Sequence, residues 1–354
     1  MERAITVEEL LKKPDVVLVD VRTSSEYMEG TIPGAINLPL FDEAERRELG
    51  ILYKMSGPQE AMFRGLSLVS PKLHQLVESL RGYYDKEVVL FCWRGGLRSQ
   101  SLTSVLNLLG FKAYYLVGGY KAYRRFVLSY LSEYDYENKS IVVLCGLTGV
   151  GKTEVIRKLR EMGEPAIDLE ELAGHRGSVF GHIGIPEKRF QKNFDALLVG
   201  ELRRFAAEKY LIVECESRRI GNIFLPPGLF QAMQRGLRIL LYDDRENRIR
   251  RLERTYLSAN DENSSSLKEA ILHLTKHLGK RKVSLLLEHL ESKNYHKAID
   301  FLLREYYDPL YHYPDHPSCD YHFSVKTDDP ERAAQEIRSY LKNFFEKARG
   351  EKFP

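Results

Sequence analysis

The chain has 354 residues, more than one ordinary hydrophobic core accommodates, so two domains are expected. With 43% hydrophobic and 29% charged residues it has a soluble globular composition, and no run of about 18 apolar residues is present to span a membrane. A net charge of +3 does not by itself point to a nucleic-acid partner. The four cysteines (Cys92, Cys145, Cys215, Cys319) show neither pairing rhythm nor zinc spacing, which suits a reducing cytoplasm.

The opening MERAITVEELLKKPD lacks the apolar core of a signal segment. The run VVLVDVR (16–22) reads as a buried strand, and EGTIPGAINLP (29–39), broken by Gly and Pro, as a loop into a short strand. Residues 73–80 and 97–109 carry helical spacing, and residues 114–117 read as a strand ending at Gly118-Gly119. Between them, VVLF (88–91) is a buried strand that runs into CWRGGLRSQS (92–101). Cys92 therefore sits at a strand-to-helix turn, where the first N–H groups of the helix lack partners and the dipole favours an anion. Gly95 and Gly96 let the backbone curl so that several N–H groups converge. Arg94 and Arg98 add positive charge, a setting that makes a thiolate nucleophile rather than an inert buried thiol.

The polar stretch SEYDYENKS (132–140) reads as a linker between a domain at 1–131 and a second at 141–348. IVVLC (141–145), YLIVE (210–214), LRILLYDD (237–244) and DYHFSV (320–325) read as strands, and Asp329-Pro330 starts a last helix with Ala334, Ile337, Leu341 and Phe344 on its apolar stripe. NSSS (263–266) reads as a loop. Strands alternating with helices in both halves predict an α/β protein with parallel sheets.

GLTGVGKT (146–153) fits the P-loop pattern after a strand and before a helix. Gly146, Thr148, Gly149 and Gly151 shape a backbone that wraps a polyphosphate, Lys152 neutralises it, and the Thr153 hydroxyl can ligate Mg²⁺. The motif names a phosphate and does not name ATP. Glu214, at the end of its strand, is placed to hold a metal-bound water or to be a solvated strand-end acid. Arg176 in HRGS (175–178) and Arg218 and Arg219 in ESRRIG (216–221) are candidates for the same phosphate crevice. In the charged helical segment 245–305, Arg248 and Arg251 lie opposite the stripe Ile249, Leu252, Tyr256. They are expected to face away from the core. With Lys280, Arg281 and Lys282 they form a basic, aromatic-interspersed surface suited to an RNA backbone.

In order along the first half, Asp20-Val21-Arg22, Glu26, GTIPGAINLP (30–39), the Cys92 loop and LVGG (116–119) make this part resemble a rhodanese domain. Five residues separate Cys92 from Arg98, where the commonest rhodanese loop has four; the longer spacing also occurs in rhodanese-fold phosphatases. Joined to a P-loop domain, and with CWRGGLRS, GLTGVGKT, HRGS, ESRRIG and REYYDPLY (304–311), nearly the whole chain resembles the bacterial tRNA 2-selenouridine synthase family. Cys215 stands where that family is expected to carry a glycine.

The resemblance implies a two-step transferase acting on tRNA with 2-thiouridine at the wobble position, with Lys, Glu and Gln acceptors. A geranyl group moves from geranyl diphosphate to sulfur, and selenium from selenophosphate then replaces the S-geranyl group. Cys92 would carry selenium as a perselenide, and the P-loop would hold the diphosphate leaving group. Mg²⁺ is a possible companion of the diphosphate, no tightly bound prosthetic group is expected, a selenophosphate-producing enzyme is a candidate partner, and the location implied is cytoplasmic. The residues also leave open a rhodanese–kinase fusion that uses ATP for sulfur transfer, a rhodanese-fold phosphatase, and a non-catalytic tRNA-binding module.

Overall fold

The computed structural model describes residues 3–185, 189–257 and 264–347. These residues form two compact units. The first comprises the described residues up to Glu133 together with 189–200, and the remainder forms the second.

The first unit is built on a five-stranded sheet: β1 (Ala4–Ile5), β2 (Val17–Asp20), β3 (Ile36–Asn37), β4 (Glu87–Phe91) and β5 (Lys112–Leu116). All its pairings are parallel, in the order β1-β5-β4-β2-β3. Helices cover the sheet, which is why its strands read as continuous apolar runs rather than alternating ones. Val19, Val88, Leu90 and Ala113 are fully buried and pack with Leu102 and Leu106 of the helix Leu97–Leu108. Two further helices, Glu43–Met55 and Pro58–Val69, follow β3. Their starts are set locally, by a capping box between Asp42 and Glu45 and by Pro58 after Gly57 at φ 91°.

The second unit carries β6 (Ser140–Cys145), β7 (Ala166–Ile167), β8 (Tyr210–Glu214), a small antiparallel pair β9 (Arg219–Ile220) and β10 (Ile223–Phe224), then β11 (Leu237–Tyr242) and β12 (Phe323–Lys326). Its main sheet is parallel in the order β12-β11-β6-β8-β7. Val142, Leu144, Ile212 and Ile239 form the core with Ala334, Ile337 and Leu341 of the helix Pro330–Lys347. Phe344, expected on the same stripe, is 41% exposed. The helices between 245 and 311 bury an apolar cluster of their own around Ile249, Leu274, Leu286, Leu290 and Leu303. Ser264–Ser266, expected in a loop, begin the helix Ser264–His273; Asn263 lies outside the described residues.

One buried ion pair organises the turn after β2. Asp20 and Arg22 are both buried, with Arg22 Nη2 2.6 Å from Asp20 Oδ2. Asp20 also accepts from Thr31 Oγ1 at 2.8 Å, while Arg22 donates to the Gly30 carbonyl at 2.7 Å and stacks 4.1 Å from the Tyr120 ring centre. Removing Arg22 leaves the buried Asp20 charge uncompensated, with neutral donors such as Thr31 Oγ1 remaining. Arg22→Ala should therefore cost about 3–5 kcal/mol of stability, read by chemical denaturation; a loss below about 1 kcal/mol would show the pair to be dispensable.

Candidate functional site

The first unit presents Cys92 at the end of β4, 3% exposed. Its loop is shaped by glycines that no other residue can replace. Gly95 has φ 64°, and a Cβ there would come within 2.2 Å of the Leu116 carbonyl oxygen; Gly119 has φ 56°, and a Cβ would meet the Cys92 carbonyl oxygen at 2.2 Å. The helix Gly119–Glu133 closes the back of the loop, since the Tyr120 and Lys121 N–H groups donate to the Cys92 and Trp93 carbonyls at 2.9 and 3.0 Å. A further bond runs from Gln100 Nε2 to the Gly95 carbonyl at 3.0 Å.

With the carbonyls held from behind, the loop N–H edges are left to the sulfur side. The Ser99 hydroxyl lies 3.3 Å from Cys92 Sγ. Burial pushes this thiol up, but the Ser99 hydroxyl, the Arg98 guanidinium and the N–H groups of Ser99 and Arg94 outweigh it and hold the thiol below its ordinary pKa. Arg98 is itself steadied by Glu26 at 3.3 Å. The Arg94 side chain is exposed and contributes through its backbone, and Gly96 is the N-cap of the helix.

The second unit presents the P-loop between β6 and the helix Lys152–Glu161. Gly146, Gly149 and Gly151 have φ of 148°, 81° and 88°, and Gly146 passes so close to β11 that a Cβ would meet the Leu241 oxygen at 2.3 Å. Lys152 Nζ arches back to the Gly146 carbonyl at 2.8 Å. The next carbonyls are held from outside: Thr148 by Arg248 Nε at 2.8 Å, Gly149 by Arg251 Nη1 at 3.4 Å, and Val150 by the Thr327 hydroxyl at 2.6 Å. Anchored carbonyls orient the peptide planes, whose N–H edges point the opposite way, toward a bound anion.

Here the expectation for the first basic helix is corrected. Arg248 and Arg251 are 2% and 7% exposed and do not face an RNA surface. Arg248 makes a two-pronged pair with Asp308 at 3.0 and 2.5 Å, and Arg251 binds Asp243 at 2.6 Å, Glu154 at 3.1 Å and the Thr327 carbonyl. Multidentate pairing offsets the cost of burying each guanidinium. Lys280, Arg281 and Lys282, by contrast, are exposed at the start of the helix Lys280–Glu291, with Lys282 paired to Glu305 at 2.7 Å. That leaves Lys280 and Arg281 as exposed cations at the positive end of the helix dipole, an arrangement an anion would relieve.

Around Lys152 the structure gathers motifs from distant positions. Gly177 of HRGS lies over two carboxylates, since a Cβ there would be 2.6 Å from Glu170 Oε1 and 3.1 Å from Glu216 Oε1. Tyr307, Tyr311 and Tyr313 form a stacked row, and the Tyr313 hydroxyl is 3.0 Å from Cys215 Sγ. Arg176 donates to the Ile183 carbonyl at 2.7 Å and lies 5.6 Å from the Tyr256 ring centre, so it braces the HRGS turn. Arg219 bonds the Gly221 carbonyl at 2.6 Å and Asn222 at 3.0 Å within its own hairpin, and Arg218 is exposed. Thr153 is exposed at the helix start.

The carboxylates here were invisible as a group in the sequence. Glu214 is 2% exposed; its Oε1 accepts the Glu170 N–H at 2.7 Å, and its Oε2 is buried without a partner. Burial and the neighbouring charges of Asp168 and Glu170 push Glu214 well above the usual carboxylate range. Burial, then Glu216, push Glu170 up to about 8. Among the described residues no group of three or more His, Cys, Asp or Glu side chains is arranged to hold a metal ion. The orphaned Glu214 oxygen is the one observation here that suits the Mg²⁺ site expected from the sequence, as a seat for a metal-bound water, while Thr153 offers its hydroxyl at the exposed helix start.

A carboxyl group whose folded pKa exceeds its unfolded value of 4.5 keeps its proton in the native state, so its stabilising contribution is present at low pH and lost as pH rises toward about 8. The protein should lose stability across that window, and Glu170→Gln should lessen the loss. Thermal unfolding from about pH 5 to pH 8 checks this; an unchanged slope in the variant would contradict it.

Comparison with known proteins adds the family. A family model described as the tRNA 2-selenouridine synthase AAA domain matches residues 139–343, and a rhodanese-like domain model matches residues 4–126. The chain is 35% identical over 331 residues to a tRNA 2-selenouridine synthase of Pseudomonas syringae, covering 84% of this chain and 88% of that protein. It is 36% identical to the same enzyme of Bordetella bronchiseptica (84% and 88% covered) and 32% identical to that of Hydrogenovibrio crunogenus (84% and 89% covered). With both of its domains matched in order and relatives above 30% identity matched over most of their length, the chain belongs to the tRNA 2-selenouridine synthase family of enzymes.

Proposed function

We propose that this enzyme selenates the wobble uridine of tRNA in two steps: transfer of a geranyl group from geranyl diphosphate to the sulfur of 2-thiouridine, then replacement of the S-geranyl group by selenium from selenophosphate. The tRNAs are those for Lys, Glu and Gln. The observation that carries the reading is the pairing, in one chain, of a carbonyl-anchored P-loop with a lowered-pKa thiol in a glycine cradle.

In the first step the sulfur attacks C1 of the prenyl chain and the C1–O bond to diphosphate breaks. Negative charge gathers on the leaving diphosphate, where the P-loop N–H groups and Lys152 are already oriented. Thr153, and Glu214 through a water, would hold a Mg²⁺ ion, which supplies further neutralising charge when bound. In the second step the Cys92 loop holds selenophosphate; its selenium attacks C2 of the base, the C2–S bond breaks as geranylthiolate leaves, and water then cleaves the Se–P bond to release phosphate. A selenium anion is large and soft, and the Ser99 hydroxyl, the N–H groups and Arg98 that lower the thiol pKa serve equally for an anion held beside the sulfur. The exposed cations at 280–282 supply phosphate contacts to the tRNA.

Lys152→Ala should slow geranyl transfer to thiolated tRNA by about a hundredfold or more, because a charge facing the leaving group is lost. Full geranyl transfer by this variant would return the P-loop to an ATP-binding role. Cys92→Ser should abolish selenation of pre-geranylated tRNA and leave geranyl transfer intact, measured by mass analysis of the nucleosides. Selenation at the normal rate would remove Cys92 as the carrier. Replacing Lys280 and Arg281 by Glu should weaken tRNA binding and reduce the slope of log affinity against log salt by about 2, roughly one for each phosphate contact. An unchanged slope would place the tRNA elsewhere.

A further inference from the structure

Neither step above uses Cys145 or Cys215. Cys145 ends β6, fully buried, and directly precedes Gly146 of the P-loop. Cys215 follows β8, half-buried, and directly precedes Glu216. The two strands pair in parallel with Leu144 opposite Glu214. The Cys215 N–H donates to the Leu144 carbonyl at 2.8 Å as part of that last pair, so Cys145 and Cys215 are the next residues along the two neighbouring strands. Paired residues in a ladder send their side chains to the same face, and neighbouring strands lie about 4.8 Å apart. That separation falls inside the roughly 4.4–6.8 Å between Cα atoms that a disulfide requires. Cys215 is partly exposed, its Sγ 3.0 Å from the Tyr313 hydroxyl, whereas Cys145 is fully buried, its Sγ 3.7 Å from the Val143 carbonyl. Within the second unit, Cys145 and Cys215 are the two thiols that neighbouring strands set side by side.

We infer that Cys145 and Cys215 are a redox dithiol that closes reversibly to a disulfide at the foot of the P-loop. The oxidant is a peroxide. The accessible Cys215 sulfur attacks one peroxide oxygen, the O–O bond breaks, and Cys215 becomes a sulfenic acid while the other oxygen leaves as water with the thiol proton. The Cys145 sulfur then attacks the Cys215 sulfur; the S–S bond forms, the S–O bond breaks, and the second oxygen leaves as water. Two thiols have lost two electrons and one peroxide has gained them. A small dithiol reverses the change by exchange. Disulfides in reducing compartments are chiefly of this transient, sensing kind. The new bond would pin β6 to β8 where the P-loop leaves the sheet.

The test uses the full-length protein carrying Cys92→Ser, which removes the lowered-pKa thiol of the first unit. After treatment with hydrogen peroxide it is quenched with acid, alkylated in denaturant near neutral pH, digested and examined by mass analysis. A peptide pair joined through Cys145 and Cys215, lighter than its reduced parts by two hydrogen atoms, is expected; it should disappear with dithiothreitol. The inference is overturned if both thiols are still fully alkylated after peroxide, if Cys215 reaches the sulfinic acid with Cys145 free, or if Cys215 pairs instead with Cys319.

Discussion

A glycine turn that offers its N–H groups to an anion must first have its carbonyls satisfied elsewhere, and that constraint shapes both units. In the second unit Arg248 carries most of it, gripping the Thr148 carbonyl while its guanidinium forks onto Asp308. The Arg248–Asp308 pair is why the REYYDPLY segment lies beside the P-loop, and with it the tyrosine row. In the first unit the same task falls to backbone, the Tyr120 and Lys121 N–H groups at the head of a helix. One solution uses buried charge and the other a helix terminus, yet each leaves a preorganised set of donors at the carboxyl end of a parallel strand.

The two cradles differ in what they are built to hold. The Cys92 loop encloses a nearly buried sulfur, with a hydroxyl, a guanidinium and peptide N–H groups close around it. Its donors suit a compact anion at or beside the sulfur. The P-loop is broader and carries a lysine that arches over its own backbone, and it is flanked by carboxyl groups that repel one another until protons or cations intervene. Such a site favours a polyphosphate that arrives with positive charge. A leaving-group site and a carrier site are the two requirements of a substitution performed in successive steps on one nucleoside.

Much of this was legible in the sequence because it depends on local patterns. Buried parallel strands announce themselves as apolar runs, and GLTGVGKT and CWRGGLRS place glycines and charges at fixed offsets from a strand end. What was not legible depends on partners far away. Arg248 and Arg251 occupy the polar side of an apolar stripe, so periodicity assigns them to solvent, but Asp308 and Glu154, 60 and 97 residues distant, draw them inside. The group of Asp168, Glu170, Glu214 and Glu216 exists because β7 and β8 pair, and the Cys145–Cys215 juxtaposition depends on register between β6 and β8. The helices Glu43–Met55 and Pro58–Val69 were missed although their start signals, Asp42 with Glu45 and Gly57-Pro58, stand in the sequence; Gly65 is their one buried residue.

The most direct measurement is mass analysis of the wobble nucleoside from thiolated tRNA incubated with the protein, first with geranyl diphosphate alone and then with selenophosphate added. The two-site reading predicts a geranylated thionucleoside in the first stage and its conversion to the selenonucleoside in the second. Selenium incorporation that needs no geranyl diphosphate, or that requires ATP instead, would contradict it.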